Sequence, residues 1–451
     1  MARIRRHRSM HRSAQRGQAL VLALALLFAG CLGLMYLFSA GQVLATKQRL
    51  THAADAAAYS AALWRARVLN YHAYSNRAII AQEVAIAQAV TLVSWIKYFE
   101  TFNQNAGDVI EVVFPPAAVI VELINYLNAI ARQAAIGAAT LETFLRGEAG
   151  TGYKNLLAAS QEILQLSIGT FGLGAVANEV ARANDPEFFA FVLPDEGLFA
   201  RFTKRYESDE ERGRLRDLVV ASLDDFVKDR PNDLPFLPSG CIGLSPDPST
   251  WVSWVRKRGG TTLAPGLDRW EAADTLSVHD HQPGGGLFSR GCREREVAPF
   301  GWGAAEAAEH GEGAIVADPG NVRRNPLALS EAESEMESFS SYDGITRVRD
   351  LDYQALDNPR FPVSPVAVLA RVDGDQVRTA TRIGAGSGRL ALNPDFAGGR
   401  LWALSAAQVY FHRPPGPDAR IEYASLYNPY WQARLTEPSV AQRVVAESYV
   451  D

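Results

Sequence analysis

Thirty consecutive residues, Gly17 to Thr46, carry no charge, and Ala19 to Ala40 within them are almost wholly apolar. At about 1.5 Å per residue a helix over that apolar stretch rises roughly 33 Å, enough to cross a hydrocarbon layer of about 30 Å. Six arginines (Arg3, Arg5, Arg6, Arg8, Arg12 and Arg16) stand before the run, and no acidic residue occurs before Asp55. Basic residues of this kind stay on the cytoplasmic side, so the chain from about Gln42 onward is expected to be exported. The run is longer than the apolar core of a cleavable secretory signal, and a helical pattern continues past Lys47. The expectation is therefore a signal anchor that stays in the membrane.

No second run approaches eighteen uncharged apolar residues, which points to one span carrying a globular body. Removing the six tail arginines from 45 Lys+Arg leaves 39 against 50 Asp+Glu, a net charge of -11 for the rest of the chain. Such a balance excludes a broad nucleic-acid footprint. Cys31 falls inside the span, whereas Cys241 and Cys292 lie in the exported part, where an oxidising compartment permits a disulfide. Closing a loop of that size stabilises by about 3 to 4 kcal/mol in the chain-entropy picture.

The chain reads as α+β, with its helices first and its strands late. From Gln42 to Phe102 it is alanine-rich and holds no proline or glycine, so the membrane helix is expected to continue through it. Ala54, Ala57, Ala58 and Ala61 give this helix a face without bulk, suited to close approach of another helix. Asn70 to Asn76 is a place where it could bend, and Pro115 and Pro116 end the following segment. Further helices are expected at Ala117 to Leu145, Tyr153 to Ala183 and Leu198 to Lys228, as an antiparallel layer. From Pro231 prolines mark a boundary or long connection. Beyond it the strand candidates are Trp251 to Arg256, Thr275 to His279, Val366 to Val372, Gln376 to Thr381 and Arg400 to Phe411, with a hairpin signal at Asp373-Gly374-Asp375. Ser330 to Ser341 reads as an exposed helix or loop. The organisation expected is a cytoplasmic basic tail at 1–16, a transmembrane helix at 17–46, a helical exported region at 47–230 and a mixed strand and loop periplasmic domain at 231–451.

No motif carries catalysis. His279-Asp280-His281 offers two imidazoles and a carboxylate, but no third and fourth metal ligand stands near in the sequence, and a polar strand end before Pro283-Gly284-Gly285-Gly286 is the plainer reading. Those glycines lack the spacing and lysine of a phosphate loop. There is neither a Gly-x-Ser-x-Gly elbow nor a His-Glu-x-x-His motif. Trp251, Trp254, Trp270, Trp302, Trp402 and Trp431 read as core or interface packing. No enzyme, cofactor or small-molecule ligand is expected.

Two N-terminal motifs resemble a known family. Arg16-Gly17-Gln18-Ala19-Leu20-Val21 with the apolar run, then Gln48-Arg49-Leu50-Thr51-His52-Ala53-Ala54-Asp55-Ala56-Ala57-Ala58, are similar to the start of TadG-like proteins of Tad (Flp) pilus-assembly loci, whose N-termini are pseudopilin-like. Trp270 to Leu276 and Ala424 to Leu435 look similar to C-terminal regions of larger TadG-related proteins. The resemblance implies an inner-membrane protein of a Gram-negative pilus apparatus, single-pass, with its bulk in the periplasm and with other pilin-like proteins and membrane lipid as partners. It also makes Gly17 and Gln18 a candidate processing site. A prepilin cut after Gly17 would have Leu22 as its fifth residue, where filament subunits usually hold glutamate, and this favours an uncleaved or peripheral assembly component. The competing reading is a tethered periplasmic domain that binds or hydrolyses envelope material.

Overall fold

The computed structural model describes residues 18–113, 148–195, 199–283, 291–377, 399–414 and 421–450. Its organising element is α1 (Gln18–Val113), a single helix of 96 residues. At about 1.5 Å per residue it is roughly 140 Å long. The absence of helix breakers from Gln42 to Phe102 permits this length, but propensity alone does not hold such a helix in water. Packing does, because two β-sheets lie side by side along its C-terminal half.

The first sheet has the order β1-β9-β10-β11, all antiparallel, from β1 (Phe189–Val192), β9 (Val363–Asp373), β10 (Arg400–Phe411) and β11 (Trp431–Thr436). Alternation along β9 sorts its faces. Val366, Val368, Ala370 and Val372 join Leu50 to Leu69 of α1 in one core, while Ala367 and Leu369 turn to the other side, beneath α6 (Val440–Glu447). The second sheet, β3-β4-β5-β6-β7, comprises β3 (Asn232–Pro238), β4 (Val252–Leu263), β5 (Arg269–Pro283), β6 (Cys292–Ala308) and β7 (Glu337–Phe339), the last joined in parallel. Trp270 and Ala272 meet Ile86 and Val90 of α1 on one face. Ala273 and Ala304 meet α5 (Pro326–Ser334) on the other. Close approach of α1 to this sheet requires Gly303, because a Cβ there would sit 2.3 Å from Ser94 O and 2.5 Å from Tyr98 N.

β1 belongs to the part of the chain expected to be helical, yet it pairs with β9, and β2 (Thr203–Arg205) likewise pairs with β8 (Arg349–Leu351). The two halves of the sequence are thus woven together around α1. Several local expectations need correction. Asn70 and Asn76 do not break α1: the Asn70 amide donates to Trp431 O at 2.9 Å and accepts from Trp431 N at 3.0 Å, while the Asn76 amide donates to Arg349 O and Leu426 O, both at 2.8 Å. Their side chains pair with distant backbone instead of competing for their own helix.

The stretch Tyr153 to Ala183 is two helices, α2 (Glu148–Ser167) and α3 (Thr170–Asn184), bent by 63° at Ile168-Gly169. Gly172 permits the bend, since a Cβ there would lie 2.1 Å from Ser167 O. Of the stretch expected to be helical from Leu198 to Lys228, among the described residues only α4 (Asp209–Ala221) is an α-helix, opened by a capping box in which Ser208 and Glu211 satisfy each other's backbone amides. The proline-rich connection holds an edge strand, β3, whose missing amide hydrogens are tolerated at the margin of a sheet. Ser330 to Ser341 forms the end of α5 and then β7, with Ala332 buried. Gly374–Gln376 is a short 3-10 turn after β9. The expected helix at Ala117 to Leu145 and most of the strand at Gln376 to Thr381 lie outside the described residues.

Candidate functional site

The described chain opens with a bare rod. From Ala19 to Ala45 most side chains of α1 touch nothing, with Leu20, Leu27 and Leu37 each about two-thirds exposed, and the most apolar window has a mean hydropathy of 2.5. Leaving such a surface in water costs roughly 25 cal/mol per Å² of apolar area, so it must be covered, and lipid matches its length and uniformity. Cys31 is exposed on it. Gly17 lies outside the described residues, and Gln18 is the first residue of α1.

Contact begins where charge begins. Lys47 donates to Trp402 O, Arg49 pairs with Asp185 at 3.3 Å, and Ser405 donates to Asp55 at 2.6 Å. Immediately above, Ala53, Ala54, Ala57, Ala58, Ala61 and Ala62 are fully buried in one core with Leu173, Ala177 and Ala181 of α3 and Ala403 and Ala407 of β10. The face expected to admit another helix is therefore filled within the chain itself, by α3 and by β10 of the first sheet. Small side chains do allow close approach here, but the elements that approach are α3 and the first sheet.

Higher on α1, polar side chains fasten it to the body. Arg65, with 1% of its surface exposed, donates to Ser364 Oγ at 2.7 Å and Pro365 O at 3.2 Å, faces Asp195 at 3.7 Å and lies 3.9 Å over the Phe199 ring. Burial lowers its pKa to about 10, with Asp195 opposing the shift. Glu83 and Lys154 form a salt bridge of 3.0 Å with both side chains fully buried. Trp270 Nε1 at 3.1 Å and Tyr342 OH at 2.9 Å also donate to Glu83. Lys154 sits 4.1 Å above the Tyr342 ring and donates to Gly344 O. Burial, then the Glu83 charge, holds the Tyr342 phenol protonated far above its ordinary range. Further along, Asp274 accepts from Ser94 at 3.0 Å and from Arg230 at 2.8 Å and meets Lys257.

The residues weighed as a metal or ligand site are not brought together as one. His279 Nε2 lies 2.9 Å from Asn325 Oδ1; because the Asn325 amide nitrogen donates to Arg256 O and Thr275 Oγ1, the imidazole donates. His281 Nδ1 donates to Val252 O at 3.0 Å, and Asp280 accepts from Gly240 N at 3.3 Å. Among the described residues no three His, Cys, Asp or Glu side chains are grouped to hold a metal. A hollow of about 480 Å³ beside His279 is lined by Arg256, Glu294, Arg295, Glu296 and Arg324. Its carboxylates are engaged, Glu294 by Arg256 and Glu296 by the backbone amides of Leu327 and Ala328 at the start of α5. The tryptophans are dispersed: Trp270 and Trp431 lie in separate cores and Trp251 donates to Ser245 O. Cys241 and Cys292 are joined, with Cα atoms 6.3 Å apart, tying the loop after β3 to the first residue of β6.

A continuous helix that begins as a lipid-matched rod and becomes the spine of an α+β body fits a single-pass membrane anchor carrying that body. Residues 17–66 match the family model described as Flp pilus-assembly TadE/G-like. That match covers the rod and the alanine seat above it, the same stretch that holds the two N-terminal motifs, and so supports a Tad pilus-assembly domain over those residues. No curated protein and no solved structure matches the chain.

Proposed function

We propose that this protein is a structural, minor-pilin- or pseudopilin-like component of a Tad/Flp pilus-assembly system, with its N-terminus in the cytoplasm and its body in the periplasm. The observation that carries the reading is the coincidence of the family match with the rod and its seat: the matched residues 17–66 include the apolar rod and the helix turns that lock into the body. Because the same helix passes from lipid into the core, a tilt or pull on the anchor is transmitted to both sheets without a hinge. The arginines before the span support the orientation, and the Cys241–Cys292 bond supports an oxidising compartment for the body. Leu22 in place of a glutamate favours a peripheral component over a filament subunit.

The competing reading, a tethered domain acting on envelope material, would draw on the hollow beside His279. Its carboxylates are engaged by Arg256 and by backbone amides, and we assign no catalytic residue.

The test is membrane topology combined with piliation. An alkaline phosphatase fusion after Val450 should be active, carbonate should leave the protein in the pellet, and deletion of its gene should abolish or shorten pili. A cytosolic fusion end or carbonate release would overturn the anchored reading. Normal pili in the deletion strain would overturn the assembly role.

A further inference from the structure

The second helix carries apolar side chains outward as well as inward, where Leu157 and Leu164 meet the cores and Ala158 is buried. Its buried side carries Lys154 and Gln161, both essentially inaccessible to water. From Thr151 to Ser167 its exposed residues are Tyr153, Asn155, Leu156, Ala159, Ile163 and Leu166, and none is charged. Leu156, Ile163 and Leu166 are 66%, 69% and 81% exposed, and Phe171, just past the bend, is 97% exposed. Positions 153, 156, 163 and 166 recur at three and seven residues and so form one stripe along the helix. Tyr74 of α1 is also exposed, one turn beyond Tyr71, whose hydroxyl meets Ser160 of α2. No described residue covers the stripe.

We infer that this stripe is the interface between two copies of this chain, an inference that rests on the membrane-anchored reading. Two observations select a second copy. The first is area. Tyr153, Leu156, Ile163, Leu166 and Phe171 together expose roughly 700 Å², which exceeds the apolar patches of ordinary monomers and approaches the roughly 800 Å² per partner of a standard interface.

The second is direction. Lys154 meets Glu83, Gln165 meets His72, and Arg65 reaches Ile168 O, so α2 runs antiparallel to α1 and points back toward the membrane. Two copies anchored in the same membrane are related by a two-fold axis along the membrane normal. That axis makes the two α2 helices parallel and sets each stripe residue near its own counterpart, as a self-complementary interface requires. The stripe's lack of charge is what an isologous contact needs, since any charge on it would face its own like.

Disulfide trapping in native membranes decides the matter. Ile163→Cys and Leu156→Cys, each placed in the full chain with Cys31→Ser, should form cross-linked dimers on mild oxidation. Glu210→Cys, on exposed α4, should not. Leu166→Glu combined with Phe171→Glu should eliminate the Ile163→Cys dimer and convert the detergent-solubilised protein from dimer to monomer by light scattering. A change of at least about thirtyfold in dissociation constant is expected for truncating the centre of an interface. Absence of the Ile163→Cys dimer, in protein that resists carbonate extraction, would overturn the interface and leave the anchor standing. Cross-linking of Tyr153→Cys to a coexpressed Phe171→Cys chain, without self-linking at Ile163→Cys, would mean antiparallel helices and would overturn the proposal too. Carbonate release of the unmodified chain would instead fault the anchored reading.

Discussion

Removing the ammonium of Lys154 should be among the most damaging single changes in this protein. In Lys154→Met the fully buried Glu83 carboxylate loses its 3.0 Å partner, and the contacts of Lys154 with Gly344 O and the Tyr342 ring disappear. Breaking a buried pair from one side costs about 3 to 5 kcal/mol, because a desolvated charge is left uncompensated. Glu83 retains its donors Trp270 Nε1 and Tyr342 OH, which places the expected loss near the lower end, about 3 kcal/mol. Glu83→Gln should cost less, about 2 kcal/mol, since Lys154 keeps Asp343 at 3.4 Å on its more exposed side. The double variant Glu83→Gln/Lys154→Met carries no buried charge at this node and should lie within about 1 to 2 kcal/mol of the parent, a coupling that double-mutant cycles detect readily. Urea unfolding of the full chain in detergent, followed by fluorescence, reports on the node through the adjacent Trp270. Single variants costing under about 1 kcal/mol, or a double variant as costly as the sum, would show that the pair is solvated and that this reasoning is wrong.

Three further outcomes are expected. Burial lowers the His72 pKa to about 4, with the Gln165 hydrogen bond opposing it, so the imidazole is held neutral in the folded protein while the unfolded chain titrates near its ordinary 6.5. The unfolded state then takes up the proton first, and stability should fall as pH drops from about 6.5 toward about 4, by about 1.4 kcal/mol per pH unit at most, with the slope flattened in His72→Gln unfolding titrations. Ala57→Leu overfills a fully buried seat and should cost about 1 to 3 kcal/mol, lowering the amount of folded protein in pulse-chase export assays; unchanged abundance with selective loss of pilus assembly would point to an external partner on that face. Cys241→Ser should lose about 4 kcal/mol, given a sequence separation of 51, and alkylation of unreduced wild-type protein should find neither Cys241 nor Cys292 reactive; two free thiols would count against both the bond and the oxidising compartment.

Local physics made some of this molecule legible from residues alone. The apolar run specifies α1 because lipid imposes a length, and the strand candidate Arg400 to Phe411 coincides with β10 because alternation and a following proline bound it on both sides. At Leu198 to Lys228 the helix is shorter than expected, because the capping box of Ser208 and Glu211 starts it only at Asp209. What misled was composition taken without context. Asn70 and Asn76 suggested a break because asparagine competes for local backbone, and the prolines after Pro231 suggested a connection because proline removes a donor. Both arguments hold in isolation and lose to long-range partners, at Trp431, Leu426 and Arg349 for the asparagines and along β4 for the prolines. In β6, small residues at Gly301, Gly303 and Ala305 hid a strand of 17 residues, because their role is to let α1 come close and not to supply bulk.

The sequence by itself determined that one segment is long and apolar enough to cross lipid and that a long alanine-rich helix follows. Those properties depend on neighbours a few residues apart and on the solvent. Only the tertiary structure decided what the alanines pack against, that Glu83 and Lys154 meet in the dark interior, that β1 crosses to join β9, and which helix turns its apolar side outward. Each of these is a pairing between residues distant in the chain, selected by the shape and charge of the whole assembled core, and no local pattern encodes the choice of partner.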